Sequence, residues 1–178
     1  HIADLLANAL EYSDSAKTNM HHRVRYLAKK GYLANGREID KRGTLDFATA
    51  EVYRAAIYCE FLGLSMDIKV ASTALQCAEN FHPMFNRPDS ARVEGGWQFS
   101  GGLASAVRGV SAGEHWKLFV VLKRSGHSAE AEFSTFYTWS EESRENVDQV
   151  FGRKGAATMM VIDLTELFKN LVRNVGLI

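Results

Sequence analysis

Two cysteines among 178 residues, Cys59 and Cys77, are too few to staple a fold, and each sits in a run that reads as helix core. A disulfide scaffold is excluded, and the expected compartment is a reducing one, the cytoplasm. Net charge is missing as well: 21 lysines and arginines balance 21 aspartates and glutamates. No window approaches the roughly 18 consecutive apolar residues of a membrane-spanning helix, so no membrane partner is expected. The opening residue His1 reads as an appended remnant or a cut site, and no signal-peptide pattern follows it. With 46% apolar residues the chain is too hydrophobic for intrinsic disorder. What is present is enough apolar material for one large domain or two small ones.

Both prolines, Pro83 and Pro88, fall in one short stretch, Asn80 to Ser90. A proline lacks the amide proton a helix needs, so the stretch reads as a break. It divides the chain into an N-terminal domain over 2–80, a linker over 81–96 and a C-terminal domain over 97–178. The first part reads as helical, from Ile2 to Leu10 and again from about Ala16 to Lys30, where Gly31 closes the helix. In the second of these helices Met20, Val24 and Leu27 form a narrow apolar stripe, and Lys17, His22, Arg23, Arg25, Tyr26 and Lys29 cover the rest. Gly36 and Gly43 then bracket a small hairpin with a basic tip. A long helix starts at about Thr49, whose hydroxyl is placed to cap it, and stops at Gly63; Ser65 is placed to cap the next, with Ile68, Ala71 and Leu75 on one face.

Past the break the texture changes. Trp116 to Lys123 and Ala131 to Trp139 are β-branched and aromatic, and the residues between them read as the turn of a hairpin. Ser140 to about Phe151 reads as a short helix and Ala157 to Ile162 as a buried strand. Asp163-Leu164-Thr165-Glu166 has the form of a capping box before a last helix with Leu164, Leu167, Phe168, Leu171, Val172 and Val175 on its stripe. The glycine-rich 95–102 segment matches no phosphate-binding pattern and reads as a flexible turn, with Trp97 and Phe99 tucked into the core. The expected class is mixed, an α-rich winged helix-turn-helix followed by a small α/β or α+β domain.

Zero overall charge conceals an asymmetry. From Lys17 to Arg42 the chain carries eight cations against Glu38 and Asp40, a local +6 offset by −6 elsewhere. Attraction to a phosphate backbone depends on the field within about 8–10 Å, because salt screens the rest, so one face of a neutral protein can be basic. A solvated surface answered by folded-back acids is the alternative. Helix, turn, second helix with a polar face, basic hairpin and third helix together make a winged helix-turn-helix plan. The major groove, about 12 Å wide, admits such a helix. His22 and Arg23, with Asn19, are then the candidates to approach base edges. Tyr26 can donate to a phosphate, and Lys41 and Arg42 at the hairpin tip, with Lys17, Arg25, Lys29 and Arg37 around them, can neutralise phosphates.

At these same residues the sequence resembles a family. Arg23-Val24-Arg25-Tyr26-Leu27-Ala28-Lys29-Lys30-Gly31-Tyr32-Leu33 is similar to the recognition-helix segment of MerR-type regulators. Gly43 to Phe47, the helix from Glu51 to Leu62 and the join Gly63-Leu64-Ser65-Met66 are similar to that family's wing, third helix and entry to the fourth. The likeness covers about residues 2 to 78. It implies a transcriptional regulator that binds double-stranded DNA as a homodimer, with His22 and Arg23 at the major groove, Tyr26 on a phosphate and Arg25 bracing helix against wing. Leu27 stands where the family has a second tyrosine, which implies burial.

Other constellations read as structural. His21 and His22 are neighbours on a helix, point about 100° apart and chelate poorly, so no metal is expected. Cys59 and Cys77 read as core. His115, His127, Glu130 and Glu132 have no diagnostic spacing. Trp116, Phe119, Phe133, Phe136, Tyr137 and Trp139 make a core or a dimer face, with a small-molecule pocket as the alternative. No cofactor and no catalysis are implied, and a small-molecule effector is an open possibility. Two other readings stay open: an enzyme or small-molecule binder with its site in the C-terminal domain, and a phage-type architectural or recombination factor using the same winged helix.

Overall fold

A helix of fifteen residues, Thr49–Gly63 (α3), has nine buried side chains spread around its circumference, including Val52, Tyr53, Ile57, Cys59 and Phe61. A helix apolar on all sides must be enclosed, and the other elements enclose it. The computed structural model describes residues 2–9, 14–34, 37–38, 45–80, 102–125, 128–138 and 158–175. Before α3 come Ile2–Ala9 (α1), Asp14–Lys29 (α2) and the two-residue strands Arg37–Glu38 (β1) and Leu45–Asp46 (β2), which pair antiparallel. After it come Ile68–Asn80 (α4), Gly102–Ser111 (α5), Trp116–Ser125 (β3), Ser128–Thr138 (β4), Thr158–Asp163 (β5) and Leu164–Val175 (α6). The class is mixed, helices with antiparallel sheet, as the sequence indicates.

The larger sheet runs β4-β3-β5, both pairings antiparallel. Phe119 lies opposite Thr135 on one side and Val161 on the other. The β3–β4 register slips between Val121 and Leu122, so Glu132 is an extra residue, a bulge that re-aims the far end of the hairpin. One face of this sheet, with Leu118, Val120, Phe136 and Ile162, belongs to the same hydrophobic core as Leu6, Leu27, Ile57, Leu75 and Phe168. The described parts of 2–80 and 97–178 therefore share one core, and the 81–96 segment expected to separate two domains lies outside the described residues. Tyr53 meets Phe168 edge-on, ring centroids 4.9 Å apart, joining α3 to α6. The Ser134 hydroxyl donates to the Ala74 carbonyl, joining β4 to α4. Thr165 accepts from the Trp116 amide at 2.8 Å and so ties the start of α6 to β3.

Three helices end by one device. At the end of α2 the Tyr32 amide donates to the Leu27 carbonyl at 2.9 Å and the Gly31 amide to Ala28 at 3.1 Å, with Gly31 at φ 76°. After α5 the pattern repeats with Glu114 on Gly109, Gly113 on Val110 and Gly113 at φ 87°. This double closure needs a left-handed residue, which glycine supplies without strain. After α3 the same closure runs Met66 to Phe61 and Ser65 to Leu62, but the left-handed residue is Ser65, at φ 60°. The expectation that Ser65 caps α4 is thus corrected: Ser65 terminates α3, and Asp67 caps α4 by accepting from the Lys69 amide at 2.8 Å. Nor does Thr49 cap α3; the N-cap is Ala48, without a side-chain bond.

Other expectations stand or shift similarly. Asp163 Oδ1 accepts from the amides of Thr165, at 3.0 Å, and Glu166, at 3.3 Å, the helix start the sequence signalled. The strand expected to be buried over 157–162 is instead the outermost described strand of its sheet. Thr158, Met159 and Val161 are exposed and only Ile162 is fully buried, because β5 has β3 on one side and no described strand on the other. Helix α5 carries no strong sequence signal, being Gly102-Leu-Ala-Ser-Ala-Val-Arg-Gly109-Val-Ser, yet it buries Leu103, Ala106, Val107 and Val110. The helix expected over 140–151, and Trp97 and Phe99, lie outside the described residues.

Gly109 faces the Trp116 indole and the Glu114 carboxylate where a methyl group would stand. Gly109→Ala is therefore expected to destabilise by about 1–3 kcal/mol despite alanine's better helix propensity. Ser65→Gly should act oppositely, raising stability by about 1 kcal/mol by relieving the left-handed serine. Urea unfolding midpoints of the two variants test both signs, and a lower midpoint for Ser65→Gly would contradict the left-handed assignment.

Candidate nucleic-acid interface

Helix α2 is seated by its apolar stripe: Met20, Val24 and Leu27 are 1%, 6% and 0% exposed. Leu27 is buried where the family pattern has its second tyrosine. The stripe rests on α3, where the Cys59 thiol donates to the Met20 thioether at 3.3 Å. Burial pushes the Cys59 thiol up to about 12, with the Arg23 charge partly opposing, so at neutral pH it is a core thiol and not a nucleophile. Across the helix, on positions about half a turn away from the buried stripe, Thr18, His22, Arg25 and Lys29 follow one another at spacings of four, three and four. All four are exposed, as are Asn19 and Lys30, and Tyr26 shows 43% of its surface.

The sequence-selected residues separate on this geometry. Asn19, His22, Arg25, Tyr26 and Lys29 share the solvent side of α2. Arg23 is half-buried at the flank of the apolar stripe, close enough to α3 for its charge to act on Glu60 and Cys59. Arg25, which the family pattern would use as an internal brace, lies on the outermost stripe instead. The side chains of Lys17 and Arg37, and the whole of Lys41 and Arg42, lie outside the described residues. The β1–β2 pairing, Arg37 opposite Asp46 and Glu38 opposite Leu45, places the base of the expected hairpin next in the chain after α2.

A carboxylate that the sequence reading passed over positions this surface. Glu51, on the first turn of α3, is 3% exposed and accepts from the Ala34 amide at 2.7 Å, which anchors the chain leaving α2 toward the hairpin. Its other oxygen accepts from Arg54 Nη1, and Arg54 Nε donates to Glu79 of α4 at 2.7 Å. Burial disfavours the Arg54 charge, but the bonds and charges of Glu79 and Glu51 outweigh it and hold the guanidinium above its ordinary value. Tyr32, in the same strap, packs against Tyr58 of α3 with ring centroids 6.1 Å apart. The only sequence signal for Glu51 was an acid among otherwise apolar helix neighbours. His21 bonds Asp4 of α1 at 2.9 Å. No helix among the described residues is long and apolar enough to cross a membrane. No family model, curated protein or solved structure matches this chain.

Burial pushes the Glu60 carboxyl up, and the Arg23 charge only partly offsets this. The folded chain therefore holds that proton more tightly than the unfolded chain, and ionisation on raising the pH through the folded value removes stability. Glu60→Gln is expected to have a higher urea midpoint than wild type at pH 7, and the difference should vanish at pH 3, where the carboxyl is protonated in both states. A variant weaker at pH 7 would mean that the Arg23–Glu60 attraction outweighs desolvation.

Proposed function

We propose that this protein is a sequence-specific DNA-binding regulator of MerR-like winged-helix plan, with α2 in the major groove and the β1–β2 hairpin on the phosphates. The observation that carries the reading is the division of α2 into a sealed apolar stripe and an unobstructed polar one. A helix presenting His22, Arg25 and Lys29 in a row, with Asn19 and Tyr26 beside them, offers guanidinium, imidazole and amide groups that hydrogen-bond base edges and phosphate oxygens. The local +6 over 17–42 supplies the sequence-independent attraction. The seating of α2 on α3 and the Glu51 anchor at Ala34 support it further, since groove recognition requires helix and hairpin to keep a constant relation.

In this reading Arg25 moves from brace to reader, and Arg23, half-buried with its charge acting on Glu60, stands at the flank of the polar face. One copy presents one recognition helix, so a two-fold operator calls for a homodimer. No catalytic step is involved, and the compartment is that of DNA.

Selection from a random duplex pool tests the proposal: an enriched inverted repeat is expected, and no enrichment even in dilute buffer would reject it. On the selected site, Lys29→Ala should weaken binding to all sequences alike and lower the log–log salt slope by about 1. His22→Ala or Arg25→Ala should instead relax discrimination at one base pair per half-site by about 1–3 kcal/mol.

A further inference from the structure

A second feature lies just past the C-terminal end of α3 and is lined by no described residue of α2. The turn between α3 and α4 and the far end of the hairpin stand on either side of a cleft of about 680 Å³. That volume falls within the range of small-molecule sites, roughly 300–1,000 Å³. Among the described residues its apolar walls are Leu64, Met66 and Val70 from the helical side and Leu122, Ala129 and Met160 from β3, β4 and β5. The cleft has structural causes. The closure of α3 at left-handed Ser65 swings Leu64 outward, 54% exposed, while Met66 turns back into the core. The bulge at Glu132 diverts the end of β4 that carries Ala129. Two of the walls are methionines, whose unbranched thioethers adapt to irregular apolar shapes.

Polarity at the rim is unequal. Asp67 lines the cleft, but its carboxylate already accepts from the Lys69 amide at the start of α4, where helix-start N–H groups answer its charge. Lys69 also lines the cleft; its side chain is exposed and forms no ion pair among the described residues. An apolar trough with a cation at its edge that has no ion-pair partner among the described residues complements a molecule with an apolar body and a negative head.

We propose that the cleft between the α3–α4 turn and the far end of the sheet binds an amphiphilic organic anion, a medium-chain carboxylate or sulfonate, with its chain along Met66, Leu122 and Met160 and its head at Lys69. This site is independent of DNA reading by α2, and either can fail without the other.

The test is titration of the full chain, carrying ¹³C-methyl methionine, with octanoate and with 1-octanol as the neutral probe of equal chain length. Octanoate is expected to shift the Met66 and Met160 methyl signals along one saturable curve. Met20, sealed between α2 and α3, and Met159, exposed on the other face of β5, should stay still. Lys69→Glu should weaken octanoate binding about tenfold or more, and Lys69→Arg should retain it. Ala129→Trp, which enters the cleft from an exposed position and leaves the core intact, should abolish both shifts while the Met20 signal reports an unchanged fold. The proposal is overturned if Met66 and Met160 do not respond, if Met159 or Met20 responds equally, if octanol binds as well as octanoate, or if Lys69→Glu binds like wild type.

Discussion

Helix α3 has no wet side, and that constraint organises the molecule. Because Val52, Tyr53, Ala55, Ala56, Ile57, Cys59 and Phe61 point in every direction around its axis, α3 cannot be stable until it is enclosed. Met20 of α2 meets Cys59, Phe168 of α6 meets Tyr53, and Glu79 of α4 reaches Arg54. Each of these contacts joins a different element to the same rod. The helix proposed to read DNA is thereby seated on the element that also holds α4 and α6.

Within this apolar setting Glu51 is the costly exception. A carboxylate taken out of water is unfavourable unless its oxygens are satisfied. Here both are, by Arg54 and by the Ala34 amide. Ion pairs of this kind contribute little net stability compared with apolar replacements, so the role of Glu51 is registry. It specifies where the chain departs from α2, and hence where the β1–β2 hairpin can lie relative to the exposed polar stripe.

Particular residues show how far the sequence was legible. Met20, Val24 and Leu27 recur at helical spacing, so the buried side of α2, and by subtraction its polar side, could be read without coordinates. The closure at Gly31 and the start at Asp163 were legible because caps are local chemistry, decided within a few residues. Ser65 misled for the same reason: a serine before an apolar run looks like an N-cap, yet a C-terminal closure had already claimed its backbone. Helix α5 was illegible because Gly102, Ser105 and Gly109 are weak helix formers. Gly109 is there for the Trp116 ring, a contact that propensity does not encode. The run 157–162 looked buried because all its middle residues are apolar, but an edge strand and a central strand share that composition.

What the amino-acid order decided alone was what contacts a few residues long carry: the types of most elements, the faces of the amphipathic helices, the β3–β4 hairpin, and the concentration of positive charge over 17–42. Tertiary structure decided which surfaces remain. It turned Arg25 outward and Arg23 toward Glu60, drew both halves of the chain into one core, put β5 outermost among the described strands of its sheet and opened a cleft beside Lys69. These outcomes depend on partners dozens of residues distant, and whether a side chain ends in solvent or against a neighbour is a property of the packed whole that no local pattern contains.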